Sequence, residues 1–397
     1  MRKKIYRYLV NFFCLFVPVK QRREKRNQLL LLPEIHKKNI KSKPSYTQFL
    51  TRPVKEKSVL IVEPNPYHFE LQPGFCNYFQ ELGYHIDLLV QPAILDDSPF
   101  VRYPNPPQIF NLSAKYLKKA LSLEKIKKYD YIFLSSSVLW EDNVRDSFIN
   151  FLGNEPNAKN GLLMVEHNVI PYVKDYGHQK YVDQNRSFTL GGQQNIPMLN
   201  PHYFGEYTIT SKSKFPTFVA VINEQQNKKV LFDTCRTLLK KNISNFKVIV
   251  AGRTVISEIP EDLKDIISFT GKTKFADLWK IYNQSDFFIP MLNPEIAHHQ
   301  RYREGTVTGS WQIILGFLKP AVIHSHFANY YQLNSDNSII FNSNEDLANA
   351  VENAISMTSE SYTFLQKNLK LLSEKIRQDS LKNLRSRTLD RKQNFKI

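Results

Sequence analysis

The hexapeptide SVLIVE at residues 58–63 has four consecutive apolar residues between its serine and its final glutamate. A strand covered on one face alternates apolar and polar residues, whereas a strand covered on both faces is apolar throughout. Similar runs follow in HIDLLV at 85–90, YDYIFLSSS at 129–137 and GLLMVE at 161–166. We therefore expect a parallel sheet that begins at residue 58.

Segments with apolar residues at helical spacing separate these runs, at 75–82, 113–126 and 144–152. An irregular stretch from about 167 to 215 follows, and the alternation then resumes. Strands are predicted at 217–222, 246–252, 266–271, 286–291 and 320–324, with helices at 230–239, 275–282 and 310–317 and a long helical stretch at 347–387. This order predicts an α/β chain of two Rossmann-like β/α/β domains that face each other across a cleft, where the carboxyl ends of the strands hold ligands.

The positive charge of the chain, +17 overall, lies at its two ends. Residues 1–57 hold 16 lysines and arginines against 3 acidic residues, and residues 367–397 hold 10 against 3. The remaining body has 28 basic and 31 acidic residues. A slightly acidic body argues against nucleic acid as a partner, and basic ends favour contact with an anionic membrane surface.

The N-terminal segment predicts a peripheral membrane contact. Its apolar run at 8–19 is too short to cross a hydrocarbon core of roughly 30 Å, and a basic flank at 20–26 follows it. We expect a basic interfacial helix, with a short transmembrane anchor as the alternative. Residues 27–57 are rich in lysine, contain prolines and show no sustained periodicity, which is typical of a linker.

Several familiar site patterns are missing from the sequence. No G-x-G-x-x-G follows a predicted strand, and there is no Asp-x-Asp or G-x-S-x-G. The histidine pairs His298/His299 and His324/His326 have no cysteine or carboxylate at metal-ligand spacing and are interpreted as surface or loop residues. Three cysteines without such spacing fit a reducing compartment. We predict no metal and no cofactor.

The second half resembles the donor-binding domain of GT-B glycosyltransferases. The resemblance rests on a strand that ends at Gly252-Arg253, on SFTG at 268–271, on SDFFIPML at 285–292, and on the glycine-bearing loop and apolar helix of REGTVTGSWQIILGFLKPAVI at 303–323. It is strongest for GT4-like bacterial enzymes of lipopolysaccharide, lipooligosaccharide or capsule biosynthesis. Those enzymes carry two glutamates with seven residues between them, and here Glu304 stands at the first position and Gln312 at the second.

The resemblance implies a donor site for a UDP- or GDP-linked sugar. Without a metal, the diphosphate charge must be stabilised by cations and backbone N–H groups. The residues predicted to bind the donor are Lys228, Lys229, Arg253, Glu304, Thr308, Gly309 and Ser310. Thr308, Gly309 and Ser310 stand where a helix is predicted to begin, and its unpaired N–H groups attract phosphate.

Loops after two strands of the first half supply the predicted acceptor side. NPYHFELQPGF at 65–75 contains His68, and VEHNVIPY at 165–172 contains Glu166 and His167. An inverting transferase needs a general base for the acceptor hydroxyl, and His167, Glu166 and His68 are the candidates. A retaining enzyme needs no dedicated protein base.

These observations predict four segments: a membrane-associating segment and linker (1–57), an acceptor-side domain (58–205), a nucleotide-sugar domain (206–357) and a basic helical segment (358–397). The predicted function is metal-independent transfer of a hexosyl group to a glycan or glycolipid, at the cytoplasmic face of a bacterial inner membrane. A catalytically silent glycan- or partner-binding protein and a nucleotide-sugar epimerase are the alternatives.

Overall fold

A computed structural model of the chain describes residues 6, 9–11, 14, 17, 19–91, 97–141, 144–192, 195–222, 224–252 and 259–388. The chain folds as two compact units. Unit 1 comprises Met1–Phe69, Gly83–Asp96 and Pro107–Leu163, and unit 2 comprises Glu70–Leu82, Asp97–Pro106 and Met164–Ile397. The four functional segments assigned from the sequence stay a prediction.

The helices and strands follow one another along the described residues in a β/α order. They are α1 (Val19–Thr51), β1 (Ser58–Glu63), α2 (Gln72–Glu81), β2 (His85–Val90), β3 (Gln108–Asn111), α3 (Ala114–Leu121), β4 (Tyr131–Leu134), β5 (Val138–Glu141), β6 (Val144–Ser147), α4 (Phe148–Leu152), β7 (Leu162–Glu166), α5 (Val169–Asp175), α6 (Gln179–Asp183), β8 (Ser187–Thr189), β9 (Thr217–Ala220), α7 (Gln225–Lys240), β10 (Lys247–Val250), β11 (Ile267–Phe269), α8 (Phe275–Gln284), β12 (Phe287–Ile289), α9 (Gly309–Phe317), β13 (Val322–His324), α10 (Ser325–Ala328), β14 (Ile339–Phe341), α11 (Leu347–Ser356) and α12 (Ser359–Thr388).

Unit 1 is built on parallel strands in the order β3-β2-β1-β4. Strand β1 has a parallel neighbour on each side, with Val59 opposite Ile86 of β2 and Tyr131 of β4. All six residues of β1 are buried, as its continuous apolar sequence predicts. The N–H of Ile132 donates to the carbonyl of Gly161, which places the start of β7 beside β4.

Helix α1 covers residues 27–51 of the segment predicted as a linker. Phe49 is fully buried, and its ring lies 5.1 Å from that of Phe110 in β3. The Ser42 hydroxyl accepts from the N–H of Ser113 at 2.8 Å. Arg52 pairs with Asp87 of β2 at 2.9 Å. The apolar positions of α1 are few and stand among lysines, so the sequence shows no clear amphipathic stripe although the helix packs on the sheet.

The helix predicted over 144–152 is only partly correct. Its first four residues form β6, which pairs antiparallel with β5, and helix α4 begins at Phe148. Val144 lies opposite Glu141, and Ser147 lies opposite Val138. Pairing with a neighbouring strand overrides the helical spacing of the apolar residues here.

Unit 2 contains a second parallel sheet in the order β11-β10-β9-β12. Strands β13 and β14 form a parallel pair, and Ala321 bridges to Phe288 of β12. The end of β7 pairs in parallel with β8, inside the stretch that the sequence predicts to be irregular. The predicted α/β fold class with parallel sheets is therefore confirmed.

The predicted C-terminal helical stretch is confirmed as two helices, α11 and α12, which are separated at Met357 and Thr358. Helix α12 packs on the second sheet. The Tyr362 hydroxyl donates to the carbonyl of Asp286 at 2.9 Å, and the Gln366 amide donates to the carbonyl of Leu318 at 3.0 Å. No helix within the described ranges combines the length and the apolar character needed to span a bilayer. Residues 1–5, 7, 8, 12, 13, 15, 16 and 18 of the predicted interfacial segment at 1–26 fall outside those ranges.

Substitution of Phe49 tests whether α1 is part of unit 1. Phe49→Ala removes a fully buried ring and should lower the free energy of unfolding by about 3–5 kcal/mol. Leu50 is the matched control, since it is 42% exposed and Leu50→Ala should cost little. Urea unfolding followed by circular dichroism measures both, and an equal, small effect of the two substitutions would contradict the packing of α1.

Candidate functional site

In unit 1 the carboxyl end of β1 holds a completely buried acid, Glu63. Its Oε2 accepts from the hydroxyls of Ser135 at 2.9 Å and Ser136 at 2.8 Å. Its Oε1 accepts from the backbone N–H of Asn65 at 2.9 Å. We call Glu63, Asn65, His68, Ser135 and Ser136 the β1 cluster.

Burial governs the protonation of Glu63. Removal from water raises the pKa of Glu63 to about 8, although hydrogen bonds from Ser136, Asn65 and Ser135 act in the opposite direction. Glu63 is therefore mainly a neutral acid at pH 7.

His68, one of the predicted acceptor-side residues, belongs to the same cluster. Its Nδ1 lies 3.4 Å from the Ser136 hydroxyl, which also bonds to Glu63. Its backbone has φ of 61°, a left-handed conformation that is uncommon for residues other than glycine. Burial lowers the pKa of His68 to about 4. A neutral imidazole that can accept a proton is thus linked through one hydroxyl to a neutral acid, as in acid–base pairs whose surroundings separate their pKa values.

The sequence interpretation missed Glu63, Ser135 and Ser136. Their signal was the single charged residue of SVLIVE and the serine run after YIFL, both at the carboxyl ends of neighbouring strands. Neither pattern reveals that the acid is buried.

In unit 2 the predicted residue Glu166 ends β7, and His167 follows it directly. Glu166 is buried, and its Oε1 lies 2.9 Å from Nδ1 of His178, which is buried as well. His167 is half-buried. Glu166 is thus engaged with His178, whereas His167 lies at the start of the loop that follows.

This loop contacts the predicted donor loop within unit 2. Asn168 and Thr306 form an antiparallel bridge, and the N–H of Val169 donates to the carbonyl of Gly305 at 3.4 Å. The structure thereby brings the backbone beside His167 next to the segment between Glu304 and Thr308.

The donor loop leads into α9 as the sequence predicts. The Thr308 side chain caps the helix by accepting from the N–H of Ser310 at 3.4 Å. Ser310 is buried, and Glu304 is exposed. A Cβ atom at Gly309 would meet nothing within 4 Å, so packing inside unit 2 does not require this glycine. The start of α9 at Gly309 therefore has open space in which a ligand would fit.

Residues 303–312 also concentrate buried polar atoms that bond to no described residue. They are Nε of Arg303, Oγ1 of Thr306, Nε1 of Trp311 and both Oε1 and Nε2 of Gln312. Nearly all buried polar atoms in proteins have a hydrogen-bond partner, because leaving one unpaired costs about 1–3 kcal/mol. We call 303–312 the donor segment. Its unpaired donors and acceptors suit a ligand rich in hydroxyl groups.

The cations predicted to bind the donor differ in how exposed they are. Lys228 lies in the first turn of α7, half-buried, with Nζ 5.5 Å from the centre of the Phe232 ring and 5.9 Å from that of Phe269. Lys229 is exposed. The neighbouring Asn227 amide donates to the carbonyl of Met291 at 2.7 Å and fixes the start of α7 beside the end of β12. Arg253 lies outside the described residues.

The interpretation of the paired histidines as surface residues is wrong for two of them. His299 and His324 are 5% and 7% exposed. Nδ1 of His299 accepts from the N–H of Asn293, and Nδ1 of His324 accepts from the N–H of His326. Both imidazoles serve as buried acceptors that fix loops after β12 and β13. Among the residues that the structure describes, no three potential metal ligands cluster.

Comparison with solved structures finds similar chains at low identity. The glycotransferase of kitacinnamycin is 11% identical with a TM-score of 0.49, covering 85% of this chain and all of that one. A UDP-N-acetylglucosamine 2-epimerase is 10% identical with a TM-score of 0.49, covering 84% and 96%. UGT89C1 of Arabidopsis thaliana, complexed with quercetin, is 12% identical with a TM-score of 0.47, covering 84% and 99%.

No family model and no curated protein matches the sequence. With identities and TM-scores this low, what the chain binds has to be argued from its own residues.

The pKa of Glu63 predicts a pH dependence of stability. The folded state keeps a proton up to about pH 8 that the unfolded state releases near pH 4.5, so the free energy of unfolding should fall as pH rises across this range. The lowered pKa of His68 has the opposite effect, but only below about pH 6.5. Above pH 6.5 the Glu63 effect should therefore dominate until pH approaches 8, where Lys319, whose pKa burial lowers to about 8, begins to act in the opposite direction.

Urea unfolding at stepped pH measures this effect. Glu63→Gln, which is neutral at every pH, should remove the decline between pH 6.5 and 8. Glu124→Gln, at a carboxylate whose side chain is 85% exposed, should leave it in place. An unchanged decline in Glu63→Gln would show that Glu63 ionises normally in the folded protein.

Proposed function

We propose that the chain is a metal-independent glycosyltransferase, which moves a hexosyl group from a UDP- or GDP-linked sugar to a lipid-linked or cell-surface glycan. The observation that carries this proposal is that four buried polar atoms of the donor segment, in Thr306, Trp311 and Gln312, bond to no described residue and lie next to the capped start of α9. A nucleotide-sugar matches both features, since its hydroxyls donate and accept hydrogen bonds and its diphosphate is attracted to a helix start.

Gln312 takes a specific part in this proposal. It is fully buried, and neither amide atom bonds to a described residue. It stands where the resembling GT4-like enzymes have their second glutamate. An amide accepts from a hydroxyl with its oxygen, as a glutamate does, and it also donates, so a sugar or ribose hydroxyl can satisfy it. Glu304 is proposed to accept from a donor hydroxyl as well.

The diphosphate is proposed to meet Lys228, Lys229 and Arg253 together with the N–H group of Gly309 and the hydroxyl of Ser310. These groups offer fixed positive charge where the leaving group gains negative charge during transfer. A cation and oriented N–H groups perform this task without a divalent ion.

His68, His167 and Glu166 remain the proposed candidates for the acceptor side. His68 is proposed on its position in the β1 cluster; its lowered pKa keeps the imidazole neutral at pH 7 and also makes it a weaker base than a free histidine. Glu166 is bonded to His178 and is better suited to holding the loop that contains His167. Transfer of sugar to an added acceptor would separate this proposal from the silent binding protein and from the epimerase.

Nucleotide binding tests the donor segment. UDP or GDP should raise the melting temperature of the protein, by linkage of binding to folding. Gln312→Leu should weaken that rise in melting temperature. It should not destabilise the ligand-free protein and should raise its free energy of unfolding by up to about 3 kcal/mol, because the substitution removes two buried atoms that bond to no described residue.

Gln366→Leu provides the matched control. Gln366 is equally buried, but its amide bonds to Leu318 and to the N–H of Thr210. This substitution should therefore destabilise the protein and leave nucleotide binding unchanged. Differential scanning fluorimetry with and without nucleotide measures all three proteins. A nucleotide shift that Gln312→Leu leaves intact would remove Gln312 from the donor site.

We also propose peripheral association with the cytoplasmic face of a bacterial inner membrane. Two large apolar side chains, Phe364 and Leu371, are 55% and 69% exposed and lie two turns apart on one face of α12. Lys367 is exposed between them on that face. Apolar side chains that enter a bilayer and lysines that meet anionic head groups are the features of an interfacial helix.

Vesicle sedimentation tests this association. Deletion of residues 1–26 should reduce binding to vesicles of phosphatidylglycerol, and the further change Phe364→Ser with Leu371→Ser should abolish it. Neutral phosphatidylcholine vesicles are the control and should bind little, since the basic ends need anionic lipid. Full binding by the altered protein would contradict the proposal.

A further inference from the structure

A cavity of ≈ 380 Å³ lies on unit 2 beside the donor segment, and its lining is entirely polar or aromatic: Arg303, Ser325, His326, Asn329 and Tyr330. Arg303 ends a 3₁₀ helix over Ala297–Arg303, while His326 lies in α10 and Tyr330 in the 3₁₀ helix Asn329–Tyr331. Three separate elements thus place these side chains around one space.

The guanidinium of Arg303 is held in position by neutral groups. Nη1 donates to Nε2 of His326 at 2.8 Å, and Nη2 donates to the Tyr330 hydroxyl at 3.0 Å. The guanidinium also lies over the Tyr330 ring, 4.9 Å from its centre. Within the described part of the chain, no carboxylate forms an ion pair with Arg303.

His326 does not neutralise this charge and does not add to it. A guanidinium only donates hydrogen bonds, so Nε2 of His326 accepts from Arg303 only when the imidazole is neutral. The same Nε2 lies 3.1 Å from Oε1 of Gln300, which is also a neutral group. Burial and the nearby charge of Arg303 lower the pKa of His326, in agreement with a neutral ring at pH 7. The cavity therefore keeps the full positive charge of one arginine.

An arginine with a purely structural role is commonly neutralised by a carboxylate, because a partly buried charge without a counter-ion is costly. Here Nε of Arg303 is buried without a described partner, and the remaining nitrogens are oriented by an imidazole and a phenol. An arginine that binds an anion from outside the chain is expected to have this arrangement, in which its guanidinium is held in position but its charge is not neutralised.

We propose that Arg303, oriented by His326 and Tyr330, binds an acidic group, a carboxylate or a phosphate, carried by one of the substrates. The cavity adjoins the donor segment. The Tyr331 hydroxyl donates to the carbonyl of Tyr302, and the Tyr331 ring lies 5.4 Å from that of Trp311. The proposal rests on the proposed function in assigning the acidic group to a sugar substrate, such as a hexuronic acid or a phosphorylated glycan.

Isothermal titration with inorganic phosphate and with glucuronate tests the site and separates the two chemistries. The wild-type protein should bind at least one of them, and the better ligand identifies the acidic group. Arg303→Gln should weaken that binding about tenfold or more, as expected for the loss of a charge-assisted hydrogen bond. Arg303→Lys should recover part of it, since a lysine retains the charge without the planar fork.

Two further variants guard against indirect effects. Arg301→Gln is the matched control: Arg301 lies on the same 3₁₀ helix, is exposed, and contacts its neighbour Tyr302. It should bind phosphate or glucuronate as the wild type does. Tyr330→Phe removes only the hydroxyl that holds Nη2 and should weaken binding without changing the melting temperature greatly.

UDP binding is measured alongside on the same proteins. Retention of UDP binding by Arg303→Gln, together with loss of phosphate or glucuronate binding, is the expected result. Absence of both UDP and GDP binding by the wild type would defeat the proposed function and leave the acidic-group site standing. The inference is overturned if the wild type binds neither anion, if Arg303→Gln binds as well as the wild type, or if Arg303→Gln loses UDP and anion together, which would assign Arg303 to the donor diphosphate.

Discussion

Parallel strands end at the same edge of a sheet, and this constraint produces the polar clusters of the chain. In unit 1, β1 and β4 are neighbours, so Glu63 at the end of one meets Ser135 and Ser136 beyond the end of the other. In unit 2, β12 leads to Asn293, and β13 ends at His324. The apolar residues inside these strands build the cores, while the residues just past them supply the chemistry.

Two buried glutamines of unit 2, Gln366 and Gln312, differ in whether the protein itself satisfies their hydrogen bonds. Gln366 ties helix α12 to Leu318 and Thr210 and has its hydrogen bonds within the protein. Gln312 is just as buried on α9 but bonds to no described residue. A protein selected for stability alone has no reason to keep the second arrangement, because an apolar side chain of similar size avoids the unpaired atoms. The proposed ligand would supply the reason.

Arg303 likewise has no carboxylate partner among the described residues. Other arginines, such as Arg52 with Asp87 and Arg377 with Glu81, are neutralised by carboxylates of their own unit. Arg303 is instead oriented by neutral side chains and keeps its charge for the cavity that it lines. Gln312 and Arg303 both lie in the donor segment, so unpaired hydrogen-bonding groups and unneutralised charge occur side by side.

The sequence by itself determined the strands β1, β2, β9 and β12, the alternation with helices and the capped start of α9, because apolar runs and capping residues act over a few neighbours. It did not reveal the docking of α1, whose buried Phe49 stands among lysines, or the strand β6, which depends on its partner. Only the tertiary structure decided that Glu63 is a buried acid, that His299 and His324 are buried, and that Arg303 meets His326. Burial and pairing depend on residues far apart in the chain, such as Glu63 and Ser136, and no local sequence pattern specifies which distant side chain will be in contact.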